Sequence, residues 1–296
     1  MSWKKEHVAN WQEFLKWVDE LGDEKFLFRG QHRDYGTLQP SLVRLAGNGA
    51  TSKDIEDIER DLTAAFYRES LAKSEEAKLS AGIGEGPKSN PLVRWGFMQH
   101  HGAPTRVLDW TGSPFVAAYF AVEKDFDKPG EIVCYKQHVL EKHWQKHGLN
   151  HPAKDLEIDD YRNGGKNFGE KPFVHHFIHQ IQSSRMVAQQ GVFTVCTNVL
   201  CDHAEILAKW LGEDRDGISY HRFIIPKGQK LSFLAQLRKM NITGASLFPD
   251  IDGVGRKTAE SAKLRFDSLP DHVSLSSVSS TTVSAHTFEQ GPKPAL

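Results

Sequence analysis

Residues 99–122 read QHHGAPTRVLDWTGSPFVAAYFAV, and the joint at Ser113-Pro114 sets the frame for the rest of the chain. A serine followed by proline is a strong helix start. The hydroxyl accepts an orphan backbone N–H of the first turn, and a proline at the first helical position has no N–H to leave unsatisfied. The pattern predicts a helix from Phe115 to about Lys124, with a short helix before it over Leu92 to Met98. Beyond the Pro129-Gly130 break, EIVCYK reads as a strand.

Toward the N-terminus, FLF at Phe26 to Phe28 is a short aromatic run, consistent with a buried strand that delivers Arg29 and Gly30 at its end. Trp11, Phe14, Leu15, Val18 and Leu21 recur at three- and four-residue spacing, predicting an amphipathic helix from about Ala9 to Leu21, with Gly22 in the C-cap place. A second amphipathic helix is expected over 53–73. The glycine-rich break SAGIGEGPKSNP (80–91) is either a flexible connection or an ordered active-site loop. Toward the C-terminus the expected order is a helix at 137–147, polar loop at 148–172 and a helix from Val174 to Met186. A strand at GVFTVCT, a helix from His203 to Leu211, a strand at SYHRFIIP and a helix from Gln229 to Met240 follow. This alternation argues an α+β fold, a single mixed-sheet domain with helices packed around it over residues 1–270. Residues 271–296 are rich in Ser and Thr without helical period, and a disordered tail is expected there.

With 37 Lys+Arg against 38 Asp+Glu in 296 residues, the formal net charge is -1. No bulk positive field draws the protein onto nucleic acid or an acidic membrane, so such a partner would need a local patch. Hydrophobic residues at 39% and charged residues at 25% are the balance of a folded globular chain. The three cysteines, Cys134, Cys196 and Cys201, form no CxxC unit, which points to a reducing compartment. The first residues lack the unbroken apolar core of a signal peptide, and no later stretch approaches a spanning helix, so a cytoplasmic protein without membrane partners is expected.

Three segments are denser in functional residue types than a fold needs. Phe28-Arg29-Gly30-Gln31 places an arginine beside glycine; the guanidinium can grip a phosphate, and glycine lets a ligand approach the backbone. An internal ion pair is the equal alternative. The second segment gathers His100, His101, Thr105, Arg106, Asp109, Trp110, Thr111 and Ser113 just ahead of a helix start, where backbone N–H groups favour an anion. Against that, Ser113 could simply cap, Trp110 fill core and Asp109 hold Arg106. The third, LFPDIDGVG, offers Asp250 and Asp252, which suit a turn or helix cap better than a metal. His175 and His179 are four apart on an expected helix, but no glutamate follows the first and no third ligand is evident, so no metal is expected. Pro87 stands where a phosphate loop needs its glycine.

Taken together, FLFRGQ (26–31), QHHGAPTRVLDWTGSPFVAAYFAV (99–122), QQGVFTV and SLFPDIDG resemble the FRG domain, a bacterial family, over roughly residues 10–265. More distantly these segments resemble motifs of ADP-ribosyltransferases. That resemblance implies an ADP-ribosyltransferase-like fold using NAD as substrate. Arg29, Gly30 and Arg106 would lie on the cofactor side with Thr111 and Ser113 shaping the pocket, and Trp110, Phe97 or Tyr119 would stack on nicotinamide. The transferase glutamate falls at Ala188-Gln189-Gln190-Gly191, where Gln190 can hydrogen-bond a ribose but lends no negative charge. Asp109, Asp250 or another acid would then enter the site from elsewhere, and the ADP-ribose acceptor would be a protein or a nucleic acid. The alternative is a non-catalytic module sensing a nucleotide or a nucleic-acid end, as in bacterial defence against phage. A hydrolase with His100 or His101 as general base, oriented by Asp109, is a third reading.

Overall fold

The aromatic run at Phe26 becomes strand β2 (Phe26–Gln31) because it is apolar on both sides of the pleat: Phe26 and Phe28 enter one buried cluster and Leu27 the other. A computed structural model of the chain describes residues 5–7, 9–47, 49–75, 77–79, 91–146, 148–150, 152–162, 172–211 and 220–267. Its strands are β1 (Lys5–His7), β2, β3 (Val107–Thr111), β4 (Gly130–Lys136), β5 (Val174–Phe177), β6 (Gly191–Cys196) and β7 (Tyr220–Ile225). They form one seven-stranded mixed sheet in the order β1-β7-β4-β2-β3-β6-β5, in which β1 runs parallel to β7 and the other pairs are antiparallel.

One apolar cluster packs the central helix (Pro114–Val122), the first helix (Trp11–Glu20) and the helix Lys230–Lys239 on one face. The other packs the helices Gln137–Lys146 and His203–Leu211 on the opposite face. The central helix starts where the sequence predicts: Ser113 caps it by accepting from Val116 N at 3.3 Å, and Pro114 follows. Its small residues allow a close approach to the sheet. A Cβ built on Gly30 would stand 1.9 Å from the Ala117 carbonyl oxygen, and one on Gly130 would stand 2.2 Å from that of Ala121. Gly30 is thus required by helix-on-strand packing, which fills the space that the sequence reading left for a ligand.

Four expectations change. Val174 to Met186 is not one helix: Val174–Phe177 is edge strand β5, paired on β6 with Val174 opposite Cys196, and only Ser184–Ala188 is helical. The spacing of Val174, Phe177 and Ile178 mimicked a helical face, while the β-branched and aromatic residues pair as strand. His175 and His179 consequently share no helical face; His175 meets the Tyr161 hydroxyl at 2.8 Å, and His179 Nε2 lies 2.8 Å from the Val93 carbonyl. The polar stretch 148–172 contains the short helix Pro152–Asp155 and a 3₁₀ turn at Ile158–Tyr161. Finally, a long helix that the sequence reading did not expect, Ile251–Asp267, begins within LFPDIDG, whose Asp250 is a cap as expected. The residues 82–87 of the glycine-rich break and the Ser/Thr-rich tail lie outside the described residues. No described helix is long and apolar enough to cross a membrane.

Candidate functional site

Strands β2 and β3 touch at one register pair, Phe28 opposite Thr111, whereas β2 and β4 pair along their length. The sheet therefore opens on either side of that contact. Toward the end of β2 lies a cavity of about 220 Å³ lined by Arg29, Gly30, Gln99, His100, Asp109, Thr111, Arg185 and Gln189, among others. On the other side a groove of about 910 Å³ runs past Phe26, Gly112, Pro114, Trp144 and His176.

Alternation along β2 sends Arg29 to the face opposite Phe28 and Gly30. Its Nη1 donates to the Asp109 backbone carbonyl at 2.7 Å, bridging the gap where the ladder is missing. Its Nε is buried with no partner among the described residues. Burial draws its pKa below the ordinary value, and the Asp109 charge opposes that shift. Arg185, on the short helix Ser184–Ala188, is arranged alike: Nη1 donates to the His100 carbonyl at 3.3 Å and Nε is buried without a partner. Each guanidinium thus keeps most of its five N–H donors unspent. Arg185 lies over the ring of Phe248 at 4.4 Å, and Arg256 lies over the same ring at 4.0 Å while held by Glu123 at 2.9 Å. That is how SLFPDIDG enters the site: its phenylalanine seats an arginine. Asp250 caps the last helix, accepting from Gly253 N at 3.1 Å.

Asp109 is exposed, and its charge acts on both arginines. Its Oδ2 accepts from Gln99 Nε2 at 2.6 Å, and Gln99 Oε1 accepts from the Thr105 hydroxyl at 2.6 Å. This chain fixes the carboxylate of a cavity-lining residue and leaves Oδ1 without a partner among the described residues. His100 lines the same cavity, with Nε2 3.0 Å from Ser183 Oγ. Burial, reinforced by the Arg185 charge, pushes its pKa down to about 4.

The cavity therefore gathers Arg29, Gly30, His100, Asp109, Trp110 and Thr111. Others lie apart. Arg106 is buried and saturated by Glu59, with Nε to Oε1 at 2.8 Å and Nη2 to Oε2 at 2.6 Å, while Nη1 donates to the Tyr161 carbonyl at 2.7 Å. Asp109 does not hold it, nor does Asp109 orient His100. Ser113 is spent as a cap. Gln190 has a left-handed φ of 48° and its carbonyl accepts from Gly112 N at 3.2 Å, so Gln189 and Gly191 face the cavity in its place. Thr111 lines the cavity, but its hydroxyl donates to the Gln189 carbonyl at 2.7 Å and accepts from Ser113 N at 3.0 Å. Trp110, Phe97 and Tyr119 are buried; the Trp110 indole donates to Thr194 at 2.8 Å and the Tyr119 hydroxyl to Glu260 at 2.6 Å. Sequence reasoning missed Arg185 and Gln99. Ser183, a capping hydroxyl just ahead of Arg185, is the signal that could have marked it.

The family model of the FRG domain matches residues 24–129, from just before β2 to just before β4, and includes Arg29, His100, Asp109 and the central helix. The chain carries an FRG domain. Arg185, Gln189 and Phe248 fall outside the matched span. No curated protein and no solved structure matches the chain.

Proposed function

We propose that this protein binds NAD through its pyrophosphate and adjoining ribose and breaks the nicotinamide–ribose bond, with nicotinamide leaving and the ribose carbon bonding to a nucleophile of a protein or nucleic-acid acceptor, or to water, an ADP-ribosyltransferase-like activity. The observation that carries this reading is the pair of arginines, Arg29 and Arg185, which line one cavity with Asp109 and each keep an unpartnered Nε among the described residues. Guanidinium donors bind phosphoryl oxygens through charge-assisted hydrogen bonds. Asp109 Oδ1 is available to a ribose hydroxyl and stabilises the positive charge that develops on the sugar as nicotinamide leaves. It takes the part that neutral Gln190 cannot. The cavity's 220 Å³ is below the ~300–1,000 Å³ of sites that enclose a whole small ligand, so the phosphates and one ribose enter and the adenosine stays outside.

Titrating NAD into the protein while measuring nicotinamide release tests this. The wild type binds saturably and releases nicotinamide. Arg29→Gln and Arg185→Gln each weaken binding by roughly 10- to 100-fold, the loss expected for a hydrogen bond to a charged group. Asp109→Asn leaves binding within a few fold and abolishes release. A folded wild type with no saturable binding refutes the proposal. Glutamine at 189 and 190 favours a second reading, a nucleotide-sensing module without turnover; binding with no release, equal in wild type and Asp109→Asn, selects it.

A further inference from the structure

We infer that His100 works in this cavity as a neutral hydrogen-bond donor whose proton is fixed on Nδ1 by Ser183, so that the wall it shares with Arg29 and Arg185 reads an acceptor-only oxyanion, a phosphoryl oxygen of the ligand. The inference rests on the proposed function for its ligand, but not for its tautomer.

Ser183 Oγ already accepts from Met186 N at 3.2 Å as the cap of the helix Ser184–Ala188. Its hydroxyl proton then needs an acceptor, and the polar atom at hand is His100 Nε2 at 3.0 Å. Were Nε2 protonated instead, Oγ would accept from both Met186 N and Nε2, and the hydroxyl proton would have to leave the protein for solvent. The satisfied arrangement is Ser183 O–H donating to Nε2, which leaves the imidazole proton on Nδ1. A second proton is opposed by burial, by the Arg185 guanidinium bonded to the His100 carbonyl, and by the neighbouring His101 and His179; the Asp250 charge acts the other way and more weakly. His100 is therefore one N–H, not a charge and not a base. Nδ1 has no bond to any described residue and is not among the buried unpartnered atoms, and His100 lines the cavity beside Arg185. Donors from three side chains thus bound that wall, and a phosphoryl oxygen, all lone pairs and no proton of its own, accepts from them without a donor left to place. Ser183 is a positioning residue here: it acts through His100.

The test is ¹⁵N NMR of the histidine side chains together with binding of ADP-ribose. Wild type and Ser183→Thr, which keeps hydroxyl and cap, are expected to show His100 protonated on Nδ1 alone at neutral pH; Ser183→Ala shows a mixture of tautomers or the Nε2–H form. His100→Asn, whose amide nitrogen reaches the place of Nδ1, retains ADP-ribose affinity within a few fold. His100→Gln, which substitutes for Nε2, loses roughly tenfold or more. An Nε2–H or doubly protonated ring in the wild type overturns the tautomer assignment, and equal affinities for the Asn and Gln variants overturn its role toward the ligand. Failure of ADP-ribose to bind wild type, with the Nδ1–H signal present, instead removes the parent reading, so the two failures are separable.

Discussion

Two arginines illustrate how much a residue's job depends on what surrounds its guanidinium. Arg106 spends its donors on Glu59 and the Tyr161 carbonyl and stacks over Trp95 at 4.6 Å. It ties the long helix Ser52–Ser70, which carries Glu59, to the start of β3. Burial pushes Glu59 upward, and the Arg106 charge and hydrogen bonds oppose that push. Removing one member strands the other charge in the interior, which costs ~3–5 kcal/mol in comparable buried pairs. Glu59→Ala and Arg106→Ala are each expected to lower unfolding free energy by about that much in urea, and the double variant to lose much less than the sum. Additive losses would show that the pair is not coupled. Arg29 and Arg185, by contrast, each make one side-chain hydrogen bond among the described residues, to a carbonyl, and it is this unfinished bonding on which the proposed ligand site rests.

At the scale of elements, the site exists because β2 and β3 meet at a single pair while the central helix presses on β2 from behind. Gly30→Ala places a methyl group 1.9 Å from the Ala117 carbonyl oxygen. The backbone there has little room to yield, so a loss at or above the ~1–3 kcal/mol usual for overpacking is expected. Thermal melting checks it, and an unchanged midpoint would show that the helix does not pack as described. Much of this was legible in the sequence. The apolar spacing of Trp11, Phe14 and Val18 marks the first helix, Ser113-Pro114 opens the central one, and FLF announces β2, because amphipathic periods, caps and doubly buried strands are written in local residue types. What was not legible depends on distant partners. VLDWT reads as part of a functional segment and is strand β3 only because β6 pairs with it along its length. The helix Ile251–Asp267 buries little beyond Gly253 and Glu260, so its sequence lacks a continuous apolar stripe. At the site, Arg29, His100, Asp109 and Thr111 were readable as a cluster near one helix start, but Arg185 comes from an element far along the chain. The Arg106 partner could not be inferred, since Glu59 is one carboxylate among many on an amphipathic helix.

For the molecule as a whole, buried histidines couple stability to pH. Burial pushes His175 and His203 down to about 3 and His100 to about 4, against an ordinary value of 6.5. Between those folded values and 6.5 the unfolded chain binds more protons than the folded one, so stability is full above about pH 6.5 and falls as pH drops below it. His32, also lowered by burial, adds to the three; Glu59 and Glu260, raised by burial, act in the opposite direction, two groups against four. Urea midpoints are expected to decline from pH 7 to pH 5 with net proton uptake on unfolding. A flat midpoint across that window, or proton release, would contradict it.

The central claim is that Arg29 and Arg185 close on one pyrophosphate. Crystals of the protein grown with NAD or ADP-ribose test it most directly. Phosphoryl oxygens are expected within hydrogen-bonding distance of both guanidiniums, with a ribose hydroxyl on Asp109 Oδ1 and a phosphoryl oxygen on His100 Nδ1. A dinucleotide bound elsewhere, in the larger groove past Trp144 and His176 for instance, with both arginines untouched, would contradict it.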